Sequence, residues 1–94
     1  MSETASARVR VSNRLGLHAR PAMLFAERAQ RHEAEVRVRR CEDDDTVDGK
    51  SIMHLMMLAA TKGTDLLIEA HGADAHEAVD ALRTLVESGF NETD

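Results

Sequence analysis

His18 is the residue whose surroundings most suggest chemistry. It lies in Leu15-Gly16-Leu17-His18-Ala19-Arg20-Pro21-Ala22, between a glycine turn and a proline suited to the first turn of a helix. Proline is tolerated there because its missing N–H has no intrahelical partner at that position, and its φ is already helical. His18 therefore stands at or just before a helix N-terminus, with Arg20 two residues on. Unpaired N–H groups and the positive end of the helix dipole favour an anion at such a place. A neutral imidazole is a competent nucleophile that forms covalent intermediates, and an N–P bond is labile enough for the group to be handed on. Arg20 could pair with phosphate oxygens. An isolated histidine before a helix usually does no more than cap it or lie in solvent, so the rest of the chain must decide.

Ser51, in Gly49-Lys50-Ser51-Ile52-Met53, is the second candidate. Its plain role is to cap the helix that follows. The same hydroxyl is a candidate phosphorylation site, because a phosphate is electrostatically tolerated at a helix N-terminus. From Ile52 to Ala60 only His54 is polar. Leu55 and Leu58 share one side of this helix, and Ile52, Met53 and Met56 share nearly the opposite side. One sheet cannot bury both sides, so the methionine side is a candidate docking patch, suited by its flexible thioethers to several partners. Leu24 is assigned to the same patch, on the polar side of the first helix. His32, His54, His71 and His76 have no metal-ligand spacing, and neither a His-Glu-x-x-His motif nor a cysteine pair exists. No metal and no cofactor is expected. Acidic residues 42–45 lack the pattern of an EF-hand loop and read as solvated.

These side chains need a small scaffold to hold them. Ninety-four residues with 43% apolar content suit one domain, and the only aromatics are Phe25 and Phe90. A formal net charge of −5 and the lack of stacking aromatics argue against nucleic acid. The single Cys41 excludes an internal disulfide and suits a reducing compartment. Neither a signal peptide nor a long apolar run is apparent, so a cytoplasmic protein without membrane insertion is expected.

Alternation predicts strands over 7–11, 35–39, 46–47 and around 66–70, and helical period predicts helices over 19–31, 52–60 and from about 75 to Gly89. Gly63 is expected to end the second helix, and Asp74 with Glu77 resembles a capping box for the third. Residues 1–6 and 91–94 read as loose tails of a single domain spanning 1–94. The order βαββαβα, with a hairpin between the middle strands, points to α+β. The expected architecture is a four-stranded antiparallel sheet with three helices on one face, leaving the other open to water.

With these elements in order, the sequence resembles the HPr family, the histidine-containing phosphocarriers of the bacterial phosphoenolpyruvate-dependent sugar phosphotransferase system. Gly16-Leu17-His18-Ala19-Arg20-Pro21-Ala22 matches the active-site signature, and Gly49-Lys50-Ser51-Ile52-Met53 resembles the regulatory-serine signature. Lys62-Gly63-Thr64 and the closing helix match in order and spacing, over about residues 7–90. The resemblance implies an open-faced β-sandwich acting as a monomer. It implies that His18 accepts a phosphoryl group on Nδ1 from phosphorylated enzyme I and passes it to the IIA domain of a sugar permease, with Arg20 steadying the group. Ser51 becomes the target of HPr kinase/phosphorylase, and a transcription regulator is a further partner of the modified form. Ala19, Met23, Leu24, Ile52, Met53 and Met56 match the apolar docking surface. The acidic hairpin at 41–45 is longer than in familiar members, and His54 and Met57 replace smaller or more polar residues. The alternative is a regulatory phosphocarrier of an incomplete or nitrogen-type system that moves no sugar. The Ser51 motif favours the sugar type.

Overall fold

Alternating burial organises the sheet. The computed structural model describes residues 3–92. Its order is β1 (Glu3–Arg10), α1 (Ala19–Gln30), β2 (Glu35–Arg40), β3 (Val47–Asp48), α2 (Ile52–Met57), β4 (Asp65–Gly72) and α3 (Ala75–Glu87), closed by a 3-10 turn at Gly89–Asn91. The strands form one antiparallel sheet in the order β1-β4-β2-β3. Register places Ala5, Ala70 and Val36 in one row and Ala7, Ile68, Val38 and Val47 in the next, all on the covered side. Side chains one residue along point to the other face. There Arg8, Arg10, Arg37 and Glu35 meet water, and Arg8 and Arg10 both donate to Asp65. The two-layer α+β architecture expected from the residues is the one observed.

The helices roof this sheet with single faces. α1 buries Pro21, Ala22, Phe25, Ala26 and Ala29, and α3 buries Ala75, Ala78, Val79, Leu82, Leu85 and Val86. α2 buries Leu55, with Leu58 just beyond its end, and leaves Ile52, Met53, Met56 and Met57 exposed. The two-sided reading of α2 therefore holds.

Four expectations are corrected. Residues 3–6 are the first half of β1 and pair with Glu69, Ala70, His71 and Gly72 of β4, because the short polar side chains of Thr4 and Ser6 suit the open face while Ala5 fills the core. At the other end, residues 91 and 92 are also not a tail: Asn91 lies in the closing turn, and the carboxylate of Glu92 reaches His18. Residues 1–2 and 93–94 lie outside the described residues. Next, α2 ends at Met57, not near Ala60. Ala59 adopts a left-handed φ of 51°, which frees the Ala60 carbonyl to accept from the Leu17 N–H at 2.8 Å. Gly63 therefore shapes the Thr61–Thr64 turn into β4 instead of closing α2. Finally, Asp74 stands at the α3 N-cap but makes no capping bond. Its carboxylate accepts from the N–H groups of Glu33 and Ala34 and faces His32 Nδ1 at 3.1 Å, tying the α1–β2 turn to α3.

Candidate functional site

The loop before α1 is positioned by backbone contacts. Gly16 has φ +70°, and a Cβ there would stand 2.3 Å from the Ala60 carbonyl oxygen. Only glycine combines that conformation with that approach. The next residue, Leu17, is buried and donates to Ala60, so the chain enters α1 already anchored to the segment after α2. His18 is the N-cap, with extended backbone at φ −79° and ψ −170°, and its ring makes no bond to the helix. The N–H groups of Ala19 and Arg20 have no intrahelical acceptor, Pro21 has no N–H, and Ala22 donates to the His18 carbonyl.

The ring turns instead to a residue from the other end of the chain. His18 Nε2 lies 3.1 Å from Glu92 Oε2, and Arg20 Nη1 lies 3.7 Å from the same oxygen. Glu92 Oε1 accepts from Asn13 Nδ2 at 2.9 Å, and that amide also donates to the Gly16 carbonyl at 2.7 Å. Asn13 is the buried polar residue that joins the glycine turn to the carboxylate. The Arg20 side chain is 60% exposed and that of His18 35% exposed, whereas Glu92 is largely covered at 16%. A cation and a partly open imidazole thus share a helix start with a fixed carboxylate. Such a surface can receive an anionic group and release it to another protein without a deep pocket. A groove lined by Arg8, Cys41, Glu42, Lys62, Thr64 and Asp65 shares no residue with it.

Neither Glu92 nor Asn13 is among the residues singled out in the sequence. Asn13 sits before a glycine turn, where a short amide side chain commonly bonds to nearby backbone, and that signal was available. Glu92 lies 74 residues from His18, and nothing local announces it. The one hint is Phe90, an apolar residue past the end of α3; it is fully buried at φ 57° and turns the chain back.

Ser51 is the N-cap of α2, and its Oγ accepts from the His54 N–H at 3.2 Å. The loop before it is held from α1, since Gln30 donates to the Lys50 carbonyl and Lys50 Nζ donates to the His32 carbonyl. Gln30 ends α1 and meets the start of α2, while Leu17 precedes α1 and meets the residue after α2. The two helices therefore pack antiparallel, and His18 and Ser51 lie at opposite ends of the pair. Of the expected docking residues, Ala19, Met23, Ile52, Met53 and Met56 are exposed. Leu24, expected on the polar side of α1, is half-buried and packs against the hydrophobic core. Met57, 74% exposed, and Leu15 extend the apolar surface beyond the expected set. The long hairpin at 41–45 is partly neutralised, with Arg40 paired to Glu42 and Arg39 donating to the Cys41 and Asp43 carbonyls. Among the described residues, no group of three or more His, Cys, Asp or Glu side chains could hold a metal, and no helix is long and apolar enough to cross a membrane.

Comparison with known proteins identifies the family and the fold. Residues 5–88 match the family model described as PTS HPr component phosphorylation site. The phosphocarrier protein HPr of Neisseria meningitidis is 46% identical over 84 residues, covering 89% of this chain and 92% of that protein. The phosphocarrier protein NPr of Klebsiella oxytoca is 42% identical over 90 residues, covering 95% and 98% respectively. The crystal structure of HPr-C-His from Thermoanaerobacter tengcongensis superposes with a TM-score of 0.89 at 37% identity, covering 96% of this chain and 99% of that one. With a matching family model, relatives of nearly equal length and the same fold, this chain belongs to the HPr family of phosphocarrier proteins.

Proposed function

We propose that the chain carries a phosphoryl group on Nδ1 of His18, taking it from phosphorylated enzyme I and passing it to the IIA domain of a sugar permease in the cytoplasm. The observation that carries this reading is the imidazole at an uncapped helix start, with Nε2 already engaged by Glu92 and Arg20 beside it. That leaves Nδ1 as the ring nitrogen without a bonded partner among the described residues. Arg20 offers charge stabilisation to the phosphoryl oxygens as they arrive. Ala19, Met23, Ile52, Met53 and Met56 form the docking surface, with Leu24 supporting it from behind. Ser51 is the target of HPr kinase/phosphorylase. A dianion there sits at the favourable end of α2 and leaves the fold intact. It stands next to Ile52 and Met53, where a partner that expects apolar surface would have to desolvate it. A transcription regulator reads the modified form.

A second reading has its own support. Relatives named HPr and relatives named NPr match this chain at similar identity, 46% and 42%. A regulatory phosphocarrier of a nitrogen-type system would use the same histidine without moving sugar. The test supplies labelled phosphoenolpyruvate with the enzyme I of a sugar-type or of a nitrogen-type system and measures acid-labile phosphate on wild type and His18→Ala. Labelling should require His18, and faster labelling by one enzyme I assigns the pathway. Label on His18→Ala would remove His18 as the acceptor.

A further inference from the structure

Between the turn that leads into β4 and the hairpin that follows β2 lies a groove of about 570 Å³, lined by Arg8, Cys41, Glu42, Lys62, Thr64 and Asp65. Small organic ligands occupy cavities of roughly 300–1,000 Å³. Both walls are fixed by hydrogen bonds. In the turn, Gly63 donates to the Val11 carbonyl, Val11 donates to the Thr64 carbonyl, and the Thr61 N–H donates to Thr64 Oγ1. In the hairpin, Cys41 donates to the Asp65 carbonyl, and Arg39 Nη1 donates to the carbonyls of Cys41 and Asp43. The groove is therefore formed before any ligand arrives.

Charge decides what it suits. Both carboxylates in its lining are already met, Asp65 by Arg8 and Arg10 and Glu42 by Arg40. Asp44 and Asp45 of the same hairpin do not line it. Arg8 gives Asp65 a single nitrogen, Nη2, and its Nε and Nη1 have no acceptor among the described residues. The exposed Lys62 ammonium has neither an ion pair nor a hydrogen bond among them. The charged groups left free in the groove are thus cationic, while its carboxylates are not free to receive a second cation. A guanidinium edge matches a carboxylate or a phosphate group, and a lysine beside it adds a point charge.

We propose that this groove is a binding site for a small organic oxyanion, a phosphate monoester or a polycarboxylate, held by Lys62 and by the free edge of Arg8. A neutral compound of the same size gives these two cations nothing to pair with. The site shares no residue with the helix start that carries His18, so it stands independently of the role of that histidine.

The test uses the full chain as wild type, Lys62→Ala and Lys62→Arg, with thermal unfolding to verify folding. Backbone amide shifts are followed as glycerol 3-phosphate, citrate or glycerol is added at constant ionic strength. The single cysteine reports from inside the groove, through the rate at which neutral iodoacetamide alkylates Cys41 with and without each compound. Glycerol 3-phosphate, citrate or both should shift Cys41, Gly63, Thr64 and Asp65 saturably, with a dissociation constant of about 1 mM, and should slow the alkylation. The tighter of the two anions assigns the ligand class. Lys62→Ala should weaken binding about tenfold, Lys62→Arg should restore it, and glycerol should not bind. No saturable shift at these residues with either anion up to about 10 mM overturns the inference. Equal binding by wild type and Lys62→Ala does so too, as does glycerol binding as well as the anions. Shifts confined to Ala19 and Arg20 would put the anion at the start of α1, and unchanged alkylation at saturation would put it outside the groove; either result overturns the assignment.

Discussion

The N-terminus of α1 and the N-terminus of α2 begin from the same physics and end differently. Each presents unpaired N–H groups and a partial positive charge. At α2 the N-cap residue fills the vacancy itself, since Ser51 Oγ accepts from His54. At α1 the N-cap side chain turns away, and His18 bonds to Glu92 instead of to its own helix. A closed cap stabilises its helix, and an open cap gives up that stabilisation. Under the function proposed above, the closed cap would take a lasting modification and the open cap a group that comes and goes. Opposite ends of one antiparallel helix pair carry these two solutions, with the exposed methionines on the α2 surface beside them.

The largest way to break the comparison is to disturb the anchoring of the open end. Gly16→Ala puts a Cβ 2.3 Å from the Ala60 carbonyl in a left-handed conformation. It should cost about 2–3 kcal/mol and lower the thermal midpoint by about 10–20 °C. Phosphoryl uptake by the molecules that still fold should also fall. Calorimetry together with an uptake assay separates the two effects.

The comparison sharpens when the two N-caps are truncated side by side. Ser51→Ala removes a capping acceptor and should cost about 1 kcal/mol. His18→Ala removes no capping bond and should stay within about 0.5 kcal/mol, although it abolishes uptake. The stability losses of the two variants, read from their urea midpoints, should therefore rank in the reverse order of their damage to transfer. Equal losses of stability would mean that the His18–Glu92 contact stabilises as much as the Ser51 cap.

The smallest effect lies on the open face of the sheet, away from both helix starts. Hydrogen bonds from Arg10 and then Arg8 hold the Asp65 carboxyl down at about 2. A depressed carboxylate contributes stability that is fully present above its unfolded value of about 4 and is lost as pH falls through the folded value. Wild type and Asp65→Asn should therefore differ most above about pH 4 and converge below about pH 2. The difference should be small, because the arginines are well exposed. Thermal midpoints measured against pH test this, and the uptake of the two proteins should match at neutral pH.

Whatever depends on neighbours along the chain was legible beforehand. Alternation placed Val36, Val38, Leu66 and Ile68 in the core, because strand side chains switch faces at every residue. The spacing of Leu55 and Leu58 against Ile52, Met53 and Met56 announced a helix with one face too many. The capping chemistry of Ser51 and the proline in the first turn of α1 located both helix starts. What the tertiary structure alone decided are the contacts between residues far apart in the chain. Ala60 must meet Leu17, which is why α2 stops early and Ala59 is left-handed. Asp74 serves the backbone of Glu33 and Ala34 in place of its own helix. Leu24, polar-sided on a helical wheel, gains partners only once the helices pack. Glu92 comes to His18 because buried Phe90 turns the last residues back. Periodicity records which side of an element is buried. Which distant group meets a given side chain is set by how the elements return on one another, and no local pattern encodes that.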